Sequence, residues 1–249
     1  MKTMHVLGTP LAVTTYPEMA EHLRVLASQP KASVVDFSNS HIVTMRRTDP
    51  GFRALTEGFD LFVPDGMPLI WCLNSQGAGL SDRVYGPAFM QHALLTGSPE
   101  LTHYFLGGSE ECVGKLKEKF LAMNPRLKLV GVRNGYFGRV DEAEIVREIK
   151  ALSPDCIWVG LGTPKQQEWI ERNRGAIRRG VLLAVGFAFD VNAGTKSDAP
   201  AWMQRRGLTW LFRLCSEPRR LAWRYVKFNA LFLFYLVWDG VRGRAWKAA

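Results

Sequence analysis

The chain has 249 residues, 47% of them hydrophobic and 22% charged. That is enough apolar material for a sizeable core, and it excludes a disordered chain. The net charge of +9 is unevenly spread: residues 200–249 hold ten Lys/Arg against Glu217 and Asp239, so +8 lies there and +1 remains for the first 199 residues. Something anionic should meet that tail.

The N-terminus has one Lys and a short apolar stretch broken by Gly8 and Pro10, a poor signal peptide, which points to a cytoplasmic body. Val34–Phe37 reads as a strand, with a helix over 41–47. Leu61–Val63 is a short strand ending in Pro64-Asp65-Gly66, where the glycine is expected to permit a tight turn. Helices are predicted over Met67–Leu73 and Gly86–Leu95. His103–Leu106 is a strand running into Gly107-Gly108-Ser109, and Glu110–Met123 a helix with Cys112, Val113, Leu116 and Phe120 on one face. Leu127–Val132 (strand), Asp141–Leu152 (helix), Cys156–Leu161 (strand), Lys165–Asn173 (helix) and Val181–Val185 (strand) continue the alternation. Pro164 sits near a helix start, where proline is tolerated. This pattern predicts an α/β fold, a Rossmann-like doubly wound parallel sheet, with residues 1–199 as the catalytic domain. Ligands of such sheets bind beyond the carboxyl ends of strands, here Gly107-Gly108, Asn134-Gly135-Tyr136, Gly162-Thr163 and Gly186 to Asp190.

After Pro200 the composition shifts, and five of the eight tryptophans lie there: Trp202, Trp210, Trp223, Trp238 and Trp246. Ala230–Trp238 is wholly apolar but nine residues long, against the roughly 20 that a spanning helix needs. Extending it back to Leu221 adds Arg224 and Lys227, which predicts a helix lying in a membrane interface. Residues 200–249 are therefore expected to be a basic, aromatic, membrane-associating helical appendage. Packing on the body or on another subunit is the alternative, and RNA binding through interleaved Arg and aromatics a third.

Several residues are placed for chemistry. Asp65, ending a strand, is positioned to meet substrate, or else to make an Asx-turn or helix cap. Arg83 is either a bidentate diphosphate clamp or an ordinary surface or ion-paired arginine. Gly107-Gly108 leads into a helix N-terminus suited to phosphate, although it is neither G-x-G-x-x-G nor a P-loop. Gly162-Thr163-Pro164 has the same placement. Gln166 and Gln167 can read a base or sugar edge, Trp169 reads as core, and Asp190 can accept from a ribose or base. The four cysteines (Cys72, Cys112, Cys156, Cys215) form no C-x-x-C pair and read as buried free thiols. The histidines show no H-x-x-x-H spacing, no D-x-D ends a strand, and no G-x-S-x-G elbow occurs.

Taken in order, Phe62-Val63-Pro64-Asp65-Gly66, Arg83-Val84-Tyr85-Gly86, Phe105-Leu106-Gly107-Gly108, the run from Val159 to Ile170, and Gly186 to Asp190 followed by Arg-Arg-Gly-Leu at 205–208 resemble the WecG/TagA/CpsF family of bacterial glycosyltransferases. The resemblance covers about Leu7 to Gly240. It implies inverting, metal-independent transfer of a hexose or N-acetylhexosamine from a UDP-sugar to a polyprenyl-diphosphate-linked sugar, in cell-surface polysaccharide synthesis on the cytoplasmic membrane face. It further implies Asp65 as general base, Asn39 lining the pocket, and Arg83 and Gln167 in contact with donor or diphosphate. Gly107, Gly108, Tyr136, Gly162 and Asp190 complete the expected donor side. Arg213, Arg219, Arg220 and Arg224 are expected at the acceptor diphosphate and the anionic membrane. No cofactor, metal or nucleic acid is expected, and a homo-oligomer is left open. One departure stands out: Phe37-Ser38-Asn39 replaces the family's frequent Thr-x-Asn, which bears on the donor sugar.

Two other classes compete. A nicotinamide-dependent Rossmann oxidoreductase lacks its G-x-G-x-x-G here. A non-enzymatic peripheral membrane or RNA-binding module predicts no nucleotide-sugar binding at all.

Overall fold

The computed structural model describes residues 1–97 and 100–242. Arg244, Trp246 and Lys247, counted above in the tail, lie outside the described residues. In chain order the elements are β1 (Thr3–Val6), β2 (Thr9–Ala12), α1 (Tyr16–Ala27), β3 (Ser33–Ser38), α2 (Ser40–Thr48), α3 (Pro50–Leu55), β4 (Leu61–Pro64), α4 (Met67–Asn74), α5 (Gly86–Thr96) and β5 (Thr102–Gly107). There follow α6 (Glu110–Met123), β6 (Lys128–Arg133), a 3-10 turn (Arg139–Asp141), α7 (Glu142–Leu152), β7 (Cys156–Gly160), α8 (Lys165–Asn173), β8 (Val181–Ala184), α9 (Ala188–Ala193), α10 (Ala201–Arg205), α11 (Thr209–Ser216) and α12 (Pro218–Val241).

The strands form an eight-stranded sheet in the order β1-β2-β4-β3-β8-β7-β5-β6. β1–β2 is antiparallel, whereas β2–β4, β3–β8, β7–β8, β5–β7 and β5–β6 are parallel. The α/β expectation is met, and the continuous apolar runs of β7 and β8 suit strands covered on both faces. The N-terminal apolar stretch, to which no element was assigned from sequence, is a hairpin. Leu7 (φ 48°) and Gly8 (φ 80°) form its two-residue turn, both left-handed as such turns require. Leu7 tolerates that conformation while its side chain is buried.

Two compact units divide the chain. The first comprises residues 1–15, 37–85 and 198–249. In it α12 packs along α2, and the helix has two faces. Leu221, Phe232 and Asp239 are buried, while Trp223, Val226, Leu233, Phe234, Val237 and Val241 stand exposed at helical spacing. The buried face is tied down by Asp239, which pairs with Arg47 at 3.0 Å, and by Phe228, which meets the His41 ring edge-on at 4.3 Å between centroids. Among the described residues no helix is long and apolar enough to cross a membrane.

The second unit comprises residues 16–36 and 86–197. Its core gathers Tyr104, Phe105, Phe120, Trp158, Trp169 and Phe189, all essentially inaccessible. The buried amide of Asn192 holds α5, accepting from Gln91 Nε2 at 2.8 Å and donating to the Pro87 carbonyl at 3.0 Å. All four cysteines are free; Cys72, Cys112 and Cys156 are buried as expected, but Cys215, on α11, is exposed.

Candidate active site

In the first unit the chain leaves β3 and β4 side by side. The Asp65 N–H donates to the Ser38 carbonyl at 2.8 Å, and a Cβ built on Gly66 would lie 3.7 Å from Asn39 Cβ. Asp65 and Asn39 therefore sit on adjacent strand ends. Two sequence expectations change here. Gly66 is not a left-handed turn glycine: its φ is −120°, and it is itself the N-cap residue of α4, with no side-chain cap. Asp65 is therefore not that helix's cap, and it is half-buried. Asn39, expected as a pocket residue, caps α2, its Oδ1 accepting from the N–H groups of His41 (3.0 Å) and Ile42 (3.3 Å).

Arg83 is neither a surface nor a loosely held arginine. It is 5% exposed. Nη1 donates to the Asp65 carbonyl at 3.2 Å, and Nη2 donates to Gln204 Oε1 and Thr209 Oγ1, each at 3.2 Å. Its guanidinium carbon lies 4.0 Å from the Tyr85 ring centroid. The Tyr85 hydroxyl donates to Asp198 Oδ1 at 2.7 Å. Burial first, then the charges of Asp198 and Asp65, push the Tyr85 phenol far above its usual range, so it stays protonated.

The tail arginines divide. Arg224 is half-buried, and its Nε has no hydrogen-bond partner among the described residues. Burial, and further the charges of Arg213 and Arg220, lower its pKa. Arg219 and Arg220 are both exposed, and Arg220 pairs with Glu217. His41, in the first turn of α2, packs against Phe228 of α12. Burial and the Arg224 charge drive its imidazole down to about 3, so it is neutral at physiological pH.

In the second unit the ends of β5, β6 and β7 converge on glycine. Gly107 has φ 142°, and a Cβ there would fall 2.4 Å from the Gly160 carbonyl oxygen. The Gly135 N–H donates to the Gly108 carbonyl at 2.8 Å. The α6 N-terminus beyond Gly108 is less open than its sequence suggests: Ser109 caps it by accepting from the Cys112 N–H, and Glu110 and Glu111 occupy its first turn. Tyr136 is 82% exposed. Gly162 has φ 78° with open space around it, and its N–H donates to Gln166 Oε1 at 3.2 Å.

Gln167 is fully buried. Its Nε2 donates to the buried Asp36 at 2.7 Å, and its Oε1 has no partner among the described residues. Asp190 is not loop but part of the short α9, where Oδ1 accepts from Thr195 Oγ1 at 3.2 Å and Oδ2 lies 3.7 Å from Lys196 Nζ. Asp36, Tyr85, Asp198, Gln204 and Thr209 were not found from sequence. Only Tyr85 carried a local signal, as part of Arg83-Val84-Tyr85-Gly86; the others become partners through folding alone. Among the described residues no three His, Cys, Asp or Glu side chains gather as metal ligands would.

The model of the glycosyl transferase WecG/TagA/CpsF family matches residues 4–245. The chain is also similar to curated proteins named N-acetylglucosaminyldiphosphoundecaprenol N-acetyl-beta-D-mannosaminyltransferase. The one from Bacillus spizizenii is 26% identical over 79% of this chain and 75% of its own length. That from Bacillus subtilis is 26% identical over 88% and 86%, and that from Staphylococcus aureus 26% over 87% and 86%. A match across nearly the whole chain, with the motif residues at adjoining strand ends in each unit, sets aside the oxidoreductase and the non-enzymatic module: the protein belongs to the WecG/TagA/CpsF family of glycosyltransferases.

Proposed function

We propose that this glycosyltransferase moves a hexose or N-acetylhexosamine from a UDP-sugar to a polyprenyl-diphosphate-linked sugar, with inversion, without a metal, and with Asp65 as general base. The observation that carries the reading is the arrangement in the first unit. A half-buried carboxylate at the end of β4 adjoins the capped α2 N-terminus, and α2 in turn packs against the basic, arginine-bearing α12 through His41–Phe228 and Arg47–Asp239. A base and a concentration of positive charge are what transfer to a diphosphate-linked alcohol needs. The guanidinium groups supply charge for the acceptor diphosphate. Asp65 takes the proton from the acceptor hydroxyl as that oxygen bonds to the anomeric carbon and the nucleoside diphosphate leaves. The relatives' names give the acceptor class, a sugar on diphosphoundecaprenol.

On the donor side the proposal assigns Gly107, Gly108, Tyr136, Gly162, Gln167 and Asp190 to UDP-sugar binding. Phe37, where the family resemblance expects threonine, is buried, and Ser38 or Ser40 is the alternative source of a hydroxyl, which bears on the choice of donor sugar. The proposal divides the chain into a catalytic part, residues 1–199, and an appendage from residue 200 onward. The exposed apolar face of α12, flanked by cations, rests that appendage on the cytoplasmic, anionic membrane leaflet that holds the acceptor.

The test uses a defined polyprenyl-diphosphate sugar, a panel of UDP-hexoses and UDP-N-acetylhexosamines, and product mass with anomeric configuration read by NMR. Asp65→Asn is expected to lower turnover by about 10²–10⁴-fold with UDP affinity retained. Turnover at the wild-type level in that variant removes Asp65 as the base.

A further inference from the structure

We infer that Asp198 is a positioning residue for this reaction: through Gln204 and Tyr85 it sets the Arg83 guanidinium that holds the Asp65 backbone, so that folding of the α10–α11 segment places the base. The inference rests on the reading of Asp65 as general base given above.

Asp198 lies just before α10, far in sequence from the residues it serves. Its Oδ1 accepts from the Tyr85 hydroxyl at 2.7 Å and from the Ala199 N–H at 2.8 Å, and its Oδ2 accepts from Gln204 Nε2 at 3.1 Å. A carboxylate can only accept, so it dictates which way the Gln204 amide points. Nε2 must face Asp198, where it also reaches the Ala199 carbonyl at 2.7 Å, and Oε1 is thereby turned toward Arg83. Arg83 Nη2 takes that oxygen and Thr209 Oγ1, while Nη1 takes the Asp65 carbonyl. Tyr85 completes the clamp, its hydroxyl fixed by Asp198 and its ring under the guanidinium.

Two consequences follow for the division of labour. Arg83 spends three of its N–H directions on neutral oxygens within the protein, two of them from α10 and α11, and is largely buried. Its principal task is thus to join the base-bearing strand end to the appendage rather than to grip the donor diphosphate. The appendage in turn acts on catalysis beyond membrane contact, because Gln204 and Thr209 reach the turn that carries Asp65.

The experiment is a double-mutant cycle on the full-length enzyme, with kcat, donor KM, UDP affinity and melting temperature measured throughout. Asp198→Asn removes the constraint on the Gln204 amide. It is expected to lower kcat by about 10- to 100-fold, the cost of a misplaced catalytic group, with donor KM unchanged. In an Asp65→Asn background the same substitution is expected to cost less than about twofold, because there is no base left to place. Gln204→Met, which keeps the side chain's length but removes the acceptor, and Tyr85→Phe repeat the cycle if Asp198→Asn folds poorly. Equal losses in the two backgrounds, or a loss confined to KM, overturn the inference. An Asp65→Asn enzyme with wild-type turnover is a different outcome: it removes the base reading itself, whatever Asp198→Asn does.

Discussion

Three glycines flanking the strand ends carry the same name but face different physical demands, and substituting each by alanine separates them. At Gly107 the φ of 142° is closed to side chains, and a Cβ would lie 2.4 Å from the oxygen, 2.5 Å from the carbon and 2.7 Å from the Cα of Gly160. All three are backbone atoms of the residue paired with Gly107 in β7, so no rotamer change relieves the overlap. The strands must separate by about 1 Å to regain van der Waals contact. Backbone strain of about 1–3 kcal/mol adds to one or two weakened ladder hydrogen bonds at about 1 kcal/mol each, giving a loss of about 2–5 kcal/mol. At Gly162 the φ is 78° but nothing lies within 4 Å, so only the left-handed penalty of about 1–2 kcal/mol applies. At Gly66 the φ is −120° and the nearest atom is 3.7 Å away, so alanine should shift stability by no more than about 0.5 kcal/mol. Urea denaturation with midpoint and slope recorded for each variant reads these differences directly. A Gly107→Ala protein within 1 kcal/mol of Gly66→Ala would refute the close approach of β5 to β7.

Two further outcomes are expected. His41 has a folded pKa near 3 and His103 one near 4, both below the ordinary 6.5. Each binds fewer protons folded than unfolded, so its stabilisation is complete above about pH 6.5 and is lost as pH falls toward the folded value, at ~1.4 kcal/mol per pH unit and per histidine. His41→Phe, which keeps the ring contact with Phe228, should roughly halve the slope of unfolding free energy between pH 6 and 5; an unchanged slope would show that His41 is protonated in the folded protein. On the membrane side, Trp223→Ser with Val237→Ser removes two side chains exposed on α12. Sedimentation with anionic vesicles should show at least a tenfold weaker association, since each buried apolar side chain is worth about 1.5–3 kcal/mol. Undiminished binding by that variant would mean that another face meets the lipid.

Much of the second unit was legible in the chain because its strands are covered on both faces and its helices carry one apolar stripe. Cys156–Gly160, Val181–Ala184 and Glu110–Met123 announce themselves through local apolar spacing, which survives whatever the strands pair with. The β1–β2 hairpin escaped because its turn is Leu7-Gly8 rather than the usual Asn-Gly, and its backbone conformation is offset by burial of the leucine, a tertiary event. The short α9 escaped for a similar reason: six residues give too little periodicity to see.

The candidate site divides along the same line. Asp65, Asn39 and the tail arginines were nameable because strand ends and charge excess are local properties. Their partners were not. Asn39 as a helix cap and Gln167 turned inward to Asp36 depend on directions in space that sequence spacing does not encode. By itself the sequence determined the alternation of elements, the glycine-bearing strand ends, the basic tail and the family, because each is written in consecutive residues. Only the tertiary structure decided that Arg83 joins the turn at Asp65 to Gln204 and Thr209, and that Asp198 orients this link. A hydrogen-bond network is built from groups more than 100 residues apart in the chain, and the short range of its bonds makes it exist only once the fold has brought them together.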